Sequence, residues 1–256
     1  MARASKSRPG KTSNAGTQGR KRARGSGAET VYEALRSDIL GLKMEPGTLL
    51  DETELAHRFN LSRSPVREAL IRLSGDGLVQ TLRNRSSIVA PFDVAAIPSY
   101  LDAGELMYRV TARLAAQNRQ ASQLAAIQEL FRDHAAATKR GDMEQMIRLN
   151  REFHLAIAKA SGNSFYVAWM RQILDQGQRI LGLYLHDVWD QSDSVLSNQW
   201  TRAHLAIVRA IEERDPDAAE EAARRDAETT SARMKERFAS RPSSALALDP
   251  GTRRKR

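Results

Sequence analysis

Leu61-Ser62-Arg63-Ser64-Pro65-Val66-Arg67-Glu68-Ala69-Leu70, residues 61–70, spells the opening of a helix with two unlike faces. Pro65 falls in a first turn, where a missing N–H leaves no helical bond unmade. Val66, Ala69, Leu70 and, just beyond, Leu73 recur at the spacing of one buried stripe. Arg63 and Arg67 stand four apart and therefore share an edge at the helix start. An arginine fork there can pair with O6 and N7 of guanine bidentately, which the point charge of lysine does less selectively.

The flanks complete a unit. Upstream, Val31, Leu35, Ile39 and Leu42 recur at helical spacing until the turn signal Glu45-Pro46-Gly47. A short helix follows, with Leu55, Ala56 and Phe59 inward and Asp51 and Glu52 in its first turn, where the helix dipole favours acids. Asn60-Leu61-Ser62 makes a tight connection to the quoted helix, which Gly75-Asp76-Gly77 ends. Two β-like runs, Leu78–Leu82 and Ser87–Ala90, then flank Arg83-Asn84-Arg85-Ser86, and Pro91 closes the unit. Helix, helix, tight turn, helix and hairpin predict a winged helix-turn-helix over residues 29–92, with the third helix in the major groove and the wing along the backbone or minor groove. Charge supports that placement. The stretch 29–57 is dominated by acids, whereas 58–85 carries Arg58, Arg63, Arg67, Arg72, Arg83 and Arg85 against Glu68 and Asp76.

After Asp93 the pattern is helical throughout, with helices expected at about 96–118, 121–139, 142–161, 164–189, 194–213 and 216–238. Asp142 with Gln145 has the form of a capping box, Ser161-Gly162-Asn163 a stop, and Asp215-Pro216 an N-cap followed by Pro at N1. The expected fold is thus mostly α: an N-terminal winged helix-turn-helix with a small β-hairpin, then an all-α bundle over residues 93–240.

The 256 residues carry a net charge of +9, most of it outside these units. Residues 1–28 hold eight basic side chains and no acid, and residues 241–256 add a net +4, which leaves a body of about −3. Both tails are rich in Ser, Gly, Thr and Pro, so they are expected to be disordered, and the first could supplement DNA binding by touching phosphates. The absence of Cys excludes disulfides, thiolate chemistry and iron–sulfur clusters. Nothing has the form of a signal peptide, and the longest nearly apolar run, Ile180–Leu185, is too short to span a bilayer. A cytoplasmic protein without a membrane partner is expected.

The string from Pro46-Gly47 through Glu54-Leu55-Ala56 and Leu61–Leu70 to Gly77-Leu78-Val79 resembles the signature of GntR-family regulators. The resemblance implies that Arg63, Ser64 and Arg67 contact DNA, with Arg83, Asn84 and Arg85 supplied by the wing. Two positions depart from it: Thr53 stands where the family often has a basic residue, and Ser86 where the wing tip is usually Gly. Residues 94–238 are similar to the ligand-binding domain of the FadR-like branch, called FCD, through Phe153-His154, Ser161-Gly162-Asn163, Ala203-His204 and Asp215. Many such domains hold a divalent metal with Asp or Asn and three His. Carried over, the set becomes Asn150, His154, His204 and Asp226, the last standing where His is usual. Two imidazoles and a carboxylate can hold Zn, Ni, Fe or Mn, with the Asn amide a weak fourth ligand. The opposing readings are a pocket that binds its ligand without metal, and two histidines hydrogen-bonded in an apolar core. His57, His134 and His186 read as incidental, while Arg109, Arg113 and Arg179 are candidate counter-charges for a carboxylate ligand.

Three function classes follow. The first is a homodimeric transcriptional regulator that binds double-stranded operator DNA in a sequence-specific way, controlled by a small effector, a carboxylate metabolite, in the helical domain. The second is an architectural, non-specific DNA binder driven by the basic tails. The third is a metal-dependent enzyme, which lacks an accompanying nucleophile or base and leaves the winged helix without a purpose.

Overall fold

The computed structural model describes residues 26–83, 86–188 and 194–239. The first 25 residues, the wing-tip pair Asn84 and Arg85, and the C-terminal tail lie outside the described residues.

The N-terminal unit consists of α1 (Ser26–Leu40), β1 (Leu49–Leu50), α2 (Glu52–Phe59), α3 (Arg63–Gly75), β2 (Val79–Thr81) and β3 (Ser87–Val89). Helix α1 begins three residues before the expected boundary at Glu29, and Ala28 is already buried, so residues 26–28 belong to the fold rather than to the tail. Asp51 caps α2 by accepting from the amides of Thr53 and Glu54 at 2.7 and 2.9 Å. Asn60 ends it in the left-handed conformation, φ 51°, which Asn tolerates better than most residues and which makes the turn into α3 tight. The sheet has the order β1-β3-β2, all antiparallel, with Val79 opposite Val89 and Leu49 opposite Ile88. The hairpin was legible in the sequence; β1 was not, since Leu49-Leu50 is too short to show a period. Val31, Leu35, Ile39, Val66, Ala69, Leu70, Leu73, Leu78 and Val89 close one apolar core.

The remainder is a bundle of α4 (Ile97–Asn118), α5 (Ala121–Arg140), α6 (Met143–Ala160), α7 (Ser164–Val188), α8 (Ser194–Glu212) and α9 (Pro216–Ala239). These match the expected helices to within one or two residues because their ends are fixed by local chemistry. Asp142 accepts from the Gln145 amide at 3.2 Å, and Asp215 from the Ala218 amide at 2.9 Å. The bundle packs α4 on α9, α9 on α8, α5 on α6 and α6 on α7.

Helix α7 carries the N-terminal unit. Gln176 donates to the Gly77 carbonyl at 2.9 Å, and Arg36 of α1 reaches Asp175. Arg179, read from sequence as a candidate counter-charge, is instead buried: it donates to the Ala90 carbonyl and lies over the Phe92 ring at 4.5 Å.

Candidate functional sites

Two places concentrate charged chemistry, one at the surface and one in the bundle. At the surface, α3 presents Arg63, Ser64 and Arg67 along an open groove with Glu68, Ile71 and Arg72. Arg63 and Arg67 are both well exposed, yet neither points freely outward. Glu52, in the first turn of α2, receives Arg67 through Nε at 2.9 Å and Nη2 at 2.8 Å, and Arg63 through Nη2 at 3.2 Å. The Arg67 hydrogen bond is the main reason the Glu52 carboxyl titrates below its usual range. Ile71, four residues beyond Arg67, leaves its side chain 67% exposed on the same edge, where apolar contact with a thymine methyl is chemically apt. Sequence reasoning did not single it out. Arg72 turns back to Glu29 at 2.6 Å and stacks over Tyr32, and Arg58 pairs with Asp38 at 2.7 Å, so both also tie the fold together. Arg83 is exposed at the described edge of the wing; Asn84 and Arg85 lie outside the described residues.

In the bundle, His154 of α6, His204 of α8 and Asp226 of α9 meet at one point. Asp226 Oδ2 lies 3.4 Å from His154 Nε2, and Oδ1 lies 3.5 Å from His204 Nε2. One ligand atom from each of the three falls within 4.8 Å of the others, and all three side chains are buried. Asn150, one turn before His154, lines the same cavity. So does His134 of α5, whose ring sits 4.6 Å from that of His204. The reading of His134 as incidental missed this, and its only sequence trace is a place on the inward stripe of Ile127, His134 and Thr138. Tyr108 stacks flat on His154 at 4.2 Å, and Phe153 wedges beside both imidazoles. Arg109 and Arg113 do not reach this cluster's charge: Arg109 pairs with Glu105 and Glu220, and Arg113 with Asp217 and Glu220.

Burial dominates the electrostatics. It pushes His154 down to about 3, with His134 adding to the effect, and holds His204 well below its usual value. The same burial lifts Asp226 to about 7. Neutral imidazoles are what a metal requires, and a buried carboxylate between them is stabilised by a cation. The spacing fits as well: a tetrahedral ion with bonds of about 2.0–2.1 Å separates neighbouring ligand atoms by roughly 3.3–3.4 Å. The Asp226–imidazole approaches, 3.4 Å to Oδ2 and 3.5 Å to Oδ1, are long for N–H···O bonds and near that ligand spacing, and one atom from each residue lies within 4.8 Å of the others. One usual support is missing among the described residues: His204 Nδ1 has no hydrogen-bond partner there, whereas metal-bound histidines ordinarily donate through their second nitrogen.

The comparisons agree with this division. Residues 27–89 match the model of bacterial regulatory proteins, gntR family, and residues 101–229 match the FCD domain. The chain belongs to the GntR family. It is 29% identical over 195 residues to the transcriptional repressor RspR of Escherichia coli K12, covering 76% of this chain and 82% of that protein. A regulator from an unstable DNA locus of Streptomyces ambofaciens is 31% identical over 199 residues, covering 70% and 81%. The solved structure of E. coli McbR/YncC shares the fold, with a TM-score of 0.72 at 22% identity over 83% of this chain and 98% of that one. This GntR-family member is therefore a transcriptional regulator that joins a DNA-binding helix-turn-helix to an effector-binding FCD domain. Among the described residues, no helix is long and apolar enough to cross a membrane.

Proposed function

We propose that this regulator acts in the cytoplasm as a homodimer, reads operator DNA through Arg63, Ser64 and Arg67 with the wing alongside, and answers to a small carboxylate held in the FCD cavity on a divalent metal. Residues up to 92 form the reading unit and residues 93–240 the sensing unit, and the protein performs no turnover. The observation that carries the sensing half is the convergence of His154, His204 and Asp226 from three helices on one buried point. Zn, Ni, Fe and Mn all suit two imidazoles and a carboxylate, with Asn150 beside them. Bound there, a metal would supply a Lewis-acidic point with open positions for a carboxylate oxygen. The chain's own part is to hold both imidazoles neutral and to keep the ion out of bulk water. The cavity has about 80 Å³ of free volume, room for a handful of waters or one small molecule.

The test is metal-dependent stability. Returning Zn or Ni to stripped protein at a hundred times its Kd should stabilise the fold by about 2.7 kcal/mol. His154→Ala should abolish that gain and leave effector-free DNA binding largely intact, because the reading unit has its own core. An equal gain in wild type and variant, or none in wild type, rejects the metal.

A further inference from the structure

Asp175 sits at the crossing of the two units and is almost fully buried. From the DNA-reading side, Arg36 of α1 donates through Nη2 to both of its oxygens, at 2.6 and 2.7 Å. From the sensing side, Arg151 of α6 donates through Nε to Oδ1 at 2.6 Å. One buried carboxylate is thus shared by two guanidiniums, and the cluster carries one positive charge in excess. Uncompensated charge in such a place is costly, and an anion relieves it. Arg151 faces a cavity, lining the same pocket as His154, His204, Asp226 and Glu105. Arg151 Nη2 also lies 2.6 Å from Asp175 Oδ1, in an ion pair whose geometry makes no hydrogen bond among the described residues. Gln178 Oε1, also on the cavity wall, is buried without a donor among the described residues.

Helix α7 makes this more than a local arrangement. Leu174, Gly177, Gln178 and Leu181 face the cavity, while Asp175, Gln176 and Arg179 hold α1, the end of α3 and the close of the wing. Gly177 has no side chain because Tyr100, another cavity residue, packs against the helix there and donates to the Ile173 carbonyl at 2.7 Å. Helix α1 in turn grips α3 through Tyr32 to Asp76 at 2.7 Å and Glu29 to Arg72 at 2.6 Å.

We propose that Arg151 is the anion-binding residue of the cavity, and that an acid bound to it releases Asp175 to Arg36, tightening the seat of α1 on α7 and so coupling the cavity to the DNA-reading helix. This rests on the carboxylate reading above but not on the metal. Arginine keeps its charge throughout, so the exchange is one of partners: Arg151 passes from Asp175 to the ligand carboxylate, and Asp175 is left wholly to Arg36.

Acetate, with acetamide as its uncharged counterpart, is the probe, added in the millimolar range to the full chain with and without Zn. Acetate should raise the melting temperature, slow amide exchange across Val31–Ile39, and change affinity for operator DNA by roughly five-fold or more. Acetamide should do none of these. Arg151→Gln should abolish all three effects while retaining Zn, and Arg151→Lys, which keeps the charge without the fork, should weaken rather than abolish them. Arg36→Gln should still bind acetate but lose the change in exchange and in DNA affinity. An acetate response undiminished in Arg151→Gln overturns the anion site even if Zn binds, and an Arg36→Gln variant that couples like wild type overturns the relay. A response that needs Arg151 in a protein that never retains Zn sustains this inference and rejects the metal instead.

Discussion

The two units handle charge in opposite ways. The DNA-reading unit keeps an entirely apolar core, and Arg63, Arg67 and Arg72 stand on its surface with carboxylates from neighbouring helices. The FCD bundle places His134, Arg151, His154, Asp175, His204 and Asp226 inside. Exposed ion pairs contribute about 0–1 kcal/mol, so the first unit can vary its reading edge with little effect on folding. Buried polar groups are costly unless something completes them, so the second unit depends on how its interior charges are paired.

The largest expected effect sharpens that contrast. Phe153 is fully buried against both imidazoles, and Phe153→Ala should cost about 3–5 kcal/mol in urea unfolding and lower metal affinity as well. A cost below about 1 kcal/mol would mean that the bundle interior is not packed around the site. Next come Arg63→Ala and Arg67→Ala. Each should leave folding within about 0.5 kcal/mol of wild type and lose about 1–3 kcal/mol of discrimination between operator and random DNA. Competition binding decides it, and an unchanged specific-to-random ratio would take the reading edge away from α3. The smallest effect is expected from deleting residues 1–25, which spares α1. Binding to all DNA should weaken modestly, and the log–log salt slope should fall by about 0.9 for each phosphate contact removed. A slope that does not move would leave the tail without a part in binding.

How much was legible follows the same division. Where structure is punctuated by neighbours in sequence, as at Asp142 and Asp215-Pro216, helix ends could be read from the residues themselves. The resemblance placed His154, His204 and Asp226 together, and the structure brings them to one point. What escaped had no local signature. His134 reaches His204 only because α5 packs across α8, and Arg36 meets Asp175 across 139 residues of chain. Arg179 has the look of a solvated helical arginine until the Ala90 carbonyl and the Phe92 ring are set against it. Charge pairing between distant elements is a property of the fold, and composition and spacing do not encode it visibly.

Glu52 has one more consequence. Because its single carboxylate already pairs with both Arg63 and Arg67, a passing phosphate must compete with it before it gains an arginine. Random duplex offers only that exchange, one anion for another. A guanine in register offers two aligned acceptors in addition. With Arg63 and Arg67 reading the operator as proposed, this internal acid would act as a filter on searching: it would shorten the time spent on indifferent DNA more than the time spent at the operator, and a Glu52→Gln protein would linger where it has nothing to read.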